Sequence, residues 1–229
     1  VHAHLLAILW RRGSWIPPYL FTQGRVYGEG VYSNDAEKRV LFPLMLGALG
    51  KAFHNKLCLC IEFSDLSSKM FGYRDFRQHG YFPISWIHIH NSLHSLAPEE
   101  RLSEQLLRNI DKGYNAGIIT READNDDEIL EFHKMLKNYY RFKFHRYIPS
   151  PSFFLQLTKS QYGRVYVTLR HEKVIGGSAV VYSGSNAYLW FVASRRKSHP
   201  VIHPDVLTVW HAIKASADDG RRHTYFMNV

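Results

Sequence analysis

Residues 173–194 read KVIGGSAVVYSGSNAYLWFVAS. Two runs rich in β-branched and aromatic residues flank the turn Ser183–Asn186, a pattern that specifies a β-hairpin. The first run carries Gly176 and Gly177 side by side, although glycine weakens a strand interior. Two explanations fit: a ligand or second backbone comes close there, or the glycines relieve crowding under the helix that follows.

Working outward, GRVYVTLRH precedes the hairpin across His171 and Glu172, so the simplest pairing is a consecutive three-stranded antiparallel meander. After RRKSHPVIH, a helix is expected from Pro204, with Val206, Trp210, Ile213 and Ala217 on one face and Gly220 as its stop. HTYFMNV reads as a closing strand. Upstream, Asn125 and Glu128 have the spacing of a capping box and open a helix with Ile129, Phe132, Leu136 and Tyr140 in register. Ser150 as N-cap and Pro151 at the first position start a second, shorter helix. Helix, helix, three strands, helix, strand defines an α+β domain with helices on both faces of a mostly antiparallel sheet.

In the first half, AHLLAILWRR, GRVYGEGVY, LCLCIEF, YFPISWIHIH and AGIITRE read as strands. Asn34 and Glu37 form another capping box, and Pro43 is expected to kink or end the helix that follows near Leu41 or Phe42. A further helix is expected from Pro98 to Gly113 or Gly117. Neither a repeat nor a linker separates the halves, so any domain boundary is tight.

The chain of 229 residues is 45% hydrophobic, enough to bury a core as one large domain or two small ones. No apolar run approaches the length of a membrane span, and nothing at the N-terminus resembles a secretory signal. Cys58 and Cys60 share a strand face, where they cannot pair, and are expected as buried thiols of a reducing compartment. The net charge of +9 is concentrated in the second half, where 16 Lys and Arg face 10 Asp and Glu, so this half is expected to meet an anion. The phosphate-binding, dinucleotide, nucleophile-elbow and zinc-protease motifs are all missing, which leaves transfer or binding.

The segments EILEFHKMLKNYYRFKFHRYIPSPSFFLQL, GRVYVTLRHEKVIGGSAVVYSGSNAYLWFVAS and HPDVLTVWHAIKASADDGRRHTYFMNV resemble, in order, the second half of Fem-type peptidyltransferases and related acyltransferases of the GNAT superfamily. IEFSDL, FRQHGYFPISWIHIHNSL and EERLSEQLLRNIDKGYNAGIITRE fall where such proteins have their other GNAT-like unit. The resemblance implies two tandem GNAT-like units, 1–122 and 123–229, each with a mixed, mostly antiparallel sheet flanked by helices. It also implies family sequence before AHLLAILW and after YFMNV, so the two units are expected to be incomplete and trimmed at those ends. By family resemblance the setting is cytoplasmic and bacterial.

The implied activity is N-acyl transfer from an activated donor to an amine on a cell-envelope or saccharide precursor. The donor is acetyl-CoA or aminoacyl-tRNA, and no cofactor is permanently bound. A non-catalytic module binding a polyanion such as nucleic acid or a glycan is the rival class. Gly176 and Gly177 fall where such sheets receive the donor's chain. Arg195, Arg196 and Lys197 stand where the family's glycine-bearing pyrophosphate loop would run, and bring three cations to a strand-to-helix connection. Lys143 and Arg146, with Tyr140, are candidates for a phosphorylated or lipid-linked acceptor. For proton transfer the candidates are Tyr182, Tyr166, Glu62 and Asp65. His88, His90 and His94 have metal-ligand character, but no Cys or Glu stands at ligand spacing, so no metal is expected.

Overall fold

The computed structural model describes residues 2–12, 21–54, 56, 58–64, 71–84, 89–141 and 148–227. The chain forms two compact units, Val1–Trp86 and Ile87–Val229. The division at 122/123 expected from the sequence falls between a strand and a helix of the second unit.

The first unit holds β1 (Ala3–Arg12), β2 (Phe21–Tyr32), helix α1 (Asp35–His54), β3 (Cys58–Ser64) and the short α2 (Tyr73–Gln78). Its sheet has the order β1-β2-β3, antiparallel and then parallel. Asn34 Oδ1 accepts the Glu37 N–H at 2.8 Å, the expected cap. Pro43 does not end α1. Phe42 and Leu46 on either side of it are fully buried, and Phe42 meets the ring edges of Phe71 and Phe76, so packing outweighs the one lost backbone bond. The cysteines are not buried: β3 is an edge strand, Cys60 is exposed and Cys58 half-buried.

The second unit continues with β4 (His90–Ser92), a 3₁₀ turn (Pro98–Arg101), α3 (Glu104–Asn115), β5 (Ile118–Glu122), α4 (Asp126–Tyr140), α5 (Pro151–Lys159), β6 (Gly163–Arg170), β7 (Lys173–Ser183), β8 (Asn186–Ser194), a 3₁₀ turn (Arg196–Ser198), α6 (Pro204–Asp218) and β9 (His223–Phe226). Pro98 starts only the 3₁₀ turn. Leu102 is extended, and Ser103 caps α3 by accepting the Leu106 N–H. Of the strand expected over residues 81–90, only His90 is in β4, and 85–88 lie outside the described residues. Asn125 caps α4 as read, whereas Ser150 makes no capping bond and pairs with Ser152 instead.

The six strands run β4-β9-β8-β7-β6-β5, all antiparallel except β8 with β9. Since β5 pairs with β6 along its whole length, and Arg121 on β5 clamps Glu128 of α4 through both terminal nitrogens, residues 104–122 belong with the second sheet. One core cluster joins α4 and α5 to the sheet through Phe132, Leu136, Phe154, Val165, Val167 and Phe191. The others lie under α6 and include Leu207 and Trp210 in one and Leu189 and Ala212 in the other.

This two-sided coverage explains the glycine pair. A Cβ on Gly176 would lie 2.2 Å from Thr208 Oγ1 of α6, and one on Gly177 would lie 2.5 Å from the Phe132 ring of α4. Each glycine lets one helix settle onto one face of β7. Gly176 also follows a bulge: Thr168 pairs with Gly176 and Leu169 with Val174, which leaves Ile175 extra. Gly177→Ala is expected to destabilise the chain by about 1–3 kcal/mol in urea unfolding, the usual cost of overpacking. Gly176→Ala should cost a similar ~1–3 kcal/mol, and Thr208→Ala should recover part of that loss by removing the clashing hydroxyl.

Candidate functional site

The second bulge on the meander lies at Trp190: Ala179 pairs with Phe191 and Val180 with Leu189. Leu189 is also the last β8 residue paired with β9, and it accepts the Met227 N–H at 3.1 Å. Beyond it, among the described residues, no strand pairs with the outer edge of β8. The described ladder between the parallel strands β8 and β9 thus runs as far as Leu189.

A cleft of about 430 Å³ opens there. Its walls are the end of β8 (Val192, Ala193 and Ser194), the first half of α6 (including Asp205, Val206 and Trp210), the apolar stripe of α3, and Tyr139 and Tyr140 at the end of α4. Leu106 and Ile110 lie four residues apart on one face of α3, and the extended Leu102 joins them from just before its cap. The sequence reading offered Tyr140, or Tyr139 in its place, for the acceptor and read Val206, Trp210 and Ile213 as one face of a helix, without assigning the remaining wall. The periodicity of α3 and α6 was visible, but only the fold shows that both stripes reach the end of β8.

The connection from β8 to α6 leaves this cleft. Arg195 donates its N–H to the carbonyl of the bulged Ile175 at 2.7 Å, so the glycine-associated bulge anchors the basic segment. Arg195, Arg196 and Lys197 are exposed, and Arg196 Nη1 lies 3.3 Å from Asp205 Oδ2. His203, with φ 45, turns the chain into α6. The structure thus brings together the three cations, the start of α6 and the end of β8. Lys143, Arg146 and Asp65 lie outside the described residues.

Tyr166 and Tyr182 are elsewhere. Their hydroxyls meet at 2.8 Å in the core beneath α6, with the His211 ring edge-on to Tyr166 and the Arg221 guanidinium over Tyr182. Burial raises both phenols above their ordinary value of 10.0, and for Tyr166 the Tyr182 hydroxyl adds to the rise. Burial also lowers His211, which favours its neutral ring. Glu62 belongs to the first unit, where Gln23 donates to it at 2.7 Å and Arg25 at 3.1 and 3.3 Å. His90 and His94 stand beside His223, with ring centroids 5.6 and 5.0 Å away, and His88 lies outside the described residues. No set of metal-ligand side chains capable of holding an ion occurs among the described residues. Nor is any helix among them long and apolar enough to cross a membrane.

The second unit thus sets a parallel β8–α6–β9 crossover inside a mostly antiparallel sheet. The sequence profile described as "Acetyltransferase (GNAT) domain" matches residues 100–228. The chain belongs to that family. Three solved structures share the fold. The C-terminal domain of a putative lysylphosphatidylglycerol synthetase from Agrobacterium fabrum is 10% identical, with a TM-score of 0.63 over 98% of this chain and 70% of that one. L-PGS from Bacillus licheniformis is 11% identical, with a TM-score of 0.65 over 98% of this chain and 64% of that one. FemX is 9% identical, with a TM-score of 0.63 over 100% of this chain and 80% of that one. No curated protein sequence matches the chain.

The tyrosine pair sets a pH dependence. Each phenol binds its proton more tightly folded than unfolded, so its stabilisation is complete below the unfolded value of 10.0 and is lost as pH rises above it. Urea unfolding from pH 8 to 11 should show stability falling above about pH 10, with a shallower fall in the Tyr166→Phe, Tyr182→Phe double variant.

Proposed function

We propose that the second unit is an N-acyltransferase module, which holds an activated acyl or aminoacyl donor in the cleft at the end of β8 and delivers its acyl group to an amine on a cell-envelope or saccharide precursor. The observation that carries this reading is the coincidence, at the end of β8, of an apolar cleft and three consecutive exposed cations. The apolar walls exclude water from the reacting carbonyl. Arg195, Arg196 and Lys197 supply charge for the donor's phosphates in place of a glycine-rich loop. Attack by the acceptor amine on a positioned carbonyl needs no covalent enzyme intermediate.

This reading assigns no proton transfer to Tyr166 or Tyr182, because their hydroxyls satisfy each other in the core. The acceptor class is our reading, supported by a fold neighbour named as a putative lysylphosphatidylglycerol synthetase and by the basic balance of this half. Acetyl-CoA and aminoacyl-tRNA are the two donors this arrangement suits. A phosphorylated or lipid-linked precursor is the partner.

Isothermal titration with acetyl-CoA at moderate salt tests the reading. Binding near one equivalent that survives added salt is expected, with a loss of about tenfold or more in the Arg195→Ala, Arg196→Ala, Lys197→Ala triple variant. No heat would move the donor to aminoacyl-tRNA. Binding without defined stoichiometry that salt abolishes would overturn transfer in favour of a polyanion-binding module.

A further inference from the structure

The cleft contains one carboxylate, Asp205, among walls that are otherwise apolar apart from Ser194 and the two tyrosines. Its two oxygens differ. Oδ2 faces Arg196 at 3.3 Å, whereas Oδ1 is buried and has no hydrogen-bond partner. A buried oxygen on a charged group is costly to leave unpaired, so it marks a position where a donor from a ligand is stabilised.

The distribution of charge says which donor. Asp205 is the second residue of α6, so its carboxylate offsets the positive end of the helix that an anion would otherwise use. The exposed cations lie on residues 195–197, outside the cleft lining, while the lining itself presents negative charge. A substrate with phosphate at the mouth and a cation within complements this arrangement, and a purely neutral acyl group leaves Oδ1 unmatched.

We propose that Asp205 Oδ1 binds a primary ammonium group on the substrate that enters the cleft. The assignment rests on reading this cleft as the acyl-transfer site. The ammonium has two sources: the α-amino group of an aminoacyl donor, adjacent to the reacting carbonyl, or the acceptor amine before it loses its proton. Both present an ammonium on a short apolar stem, which suits a carboxylate beside Val206 and Val209.

The test follows backbone amide shifts of the labelled chain at neutral pH during titration with L-alanine methyl ester, with glucosamine, and with 1-propanol as the uncharged control. At least one ammonium probe is expected to give saturable shifts at Ser194, Asp205 and Val206 that 1-propanol does not give. Asp205→Asn should weaken that binding about tenfold or more, and Arg196→Ala should tighten it by removing the competing cation. Shifts from the ester alone identify the donor as the source, shifts from glucosamine alone identify the acceptor, and shifts from both support ammonium recognition from either.

The proposal is overturned if no ammonium probe binds, or if binding is equal in the wild type and Asp205→Asn, which would mean that Oδ1 is solvated by water only. If Asp205→Asn loses its dispersed spectrum, the Arg196→Ala arm decides: tightening supports the assignment, and unchanged or weaker binding overturns it. Acetyl-CoA binding without ammonium binding would remove this inference alone. Ammonium binding without acetyl-CoA binding would remove the coenzyme A donor and leave the Asp205 assignment standing.

Discussion

The close seating of two helices on opposite faces of β7 is the constraint on which the second unit depends. A six-stranded sheet covered on both sides needs a central strand that yields room in both directions, and Gly176 and Gly177 do so at adjacent positions. The seat of α6 is polar as well as close. Thr208 donates to the Pro204 carbonyl at 2.7 Å and meets Thr168 Oγ1 at the same distance, so its hydroxyl is satisfied although fully enclosed. With α6 fixed there, its first turn reaches the end of β8, and Asp205 and Val206 become cleft wall.

The two bulges divide the remaining task. The one at Ile175 leaves a carbonyl that holds Arg195, and so fixes where the basic connection begins. The one at Trp190 follows Leu189, the last residue of the described β8–β9 register. Together they set where the basic connection leaves the sheet. The glycines act through packing: Gly176 makes room for α6 and Gly177 for α4, and α6 in turn positions the wall.

Much of this was legible in the sequence where the signal is local. The caps at Asn34 and Asn125 and the meander from Gly163 to Ser194 depend on residues a few positions apart, and are found as read, whereas the expected α6 stripe is right at Trp210 and Ile213 and omits the buried Leu207, Thr208, Ala212 and Ser216. Pro98 misled because a proline at a helix start is a stronger sequence signal than Ser103, although Ser103 makes the bond that caps α3. The insertion of β9 between β4 and β8 could not be read, because it joins residues 90–92 to 223–225 through backbone bonds indifferent to side-chain identity. For the same reason the cleft was only half visible. Its basic loop is written contiguously, while its walls come from α3, α4, β8 and α6 and meet only once the sheet has formed.

The β8–α6–β9 crossover has one more consequence, for how the site can change over evolutionary time. Residues 195–203 are tied to the framework at their two ends, by the Arg195 N–H at Ile175 and by the turn into α6 at His203, and Arg195 to Ser198 are exposed. Substitutions at the exposed positions 195–198 leave the packed layers beneath them intact, whereas Ile202, a member of the core cluster under α6, and the strands and helices below admit little beyond conservative exchange. On the reading proposed above, donor preference and foldability are then written in separate stretches of the chain. A lineage can rewrite those exposed positions in search of a new phosphate-bearing partner without first finding a new core.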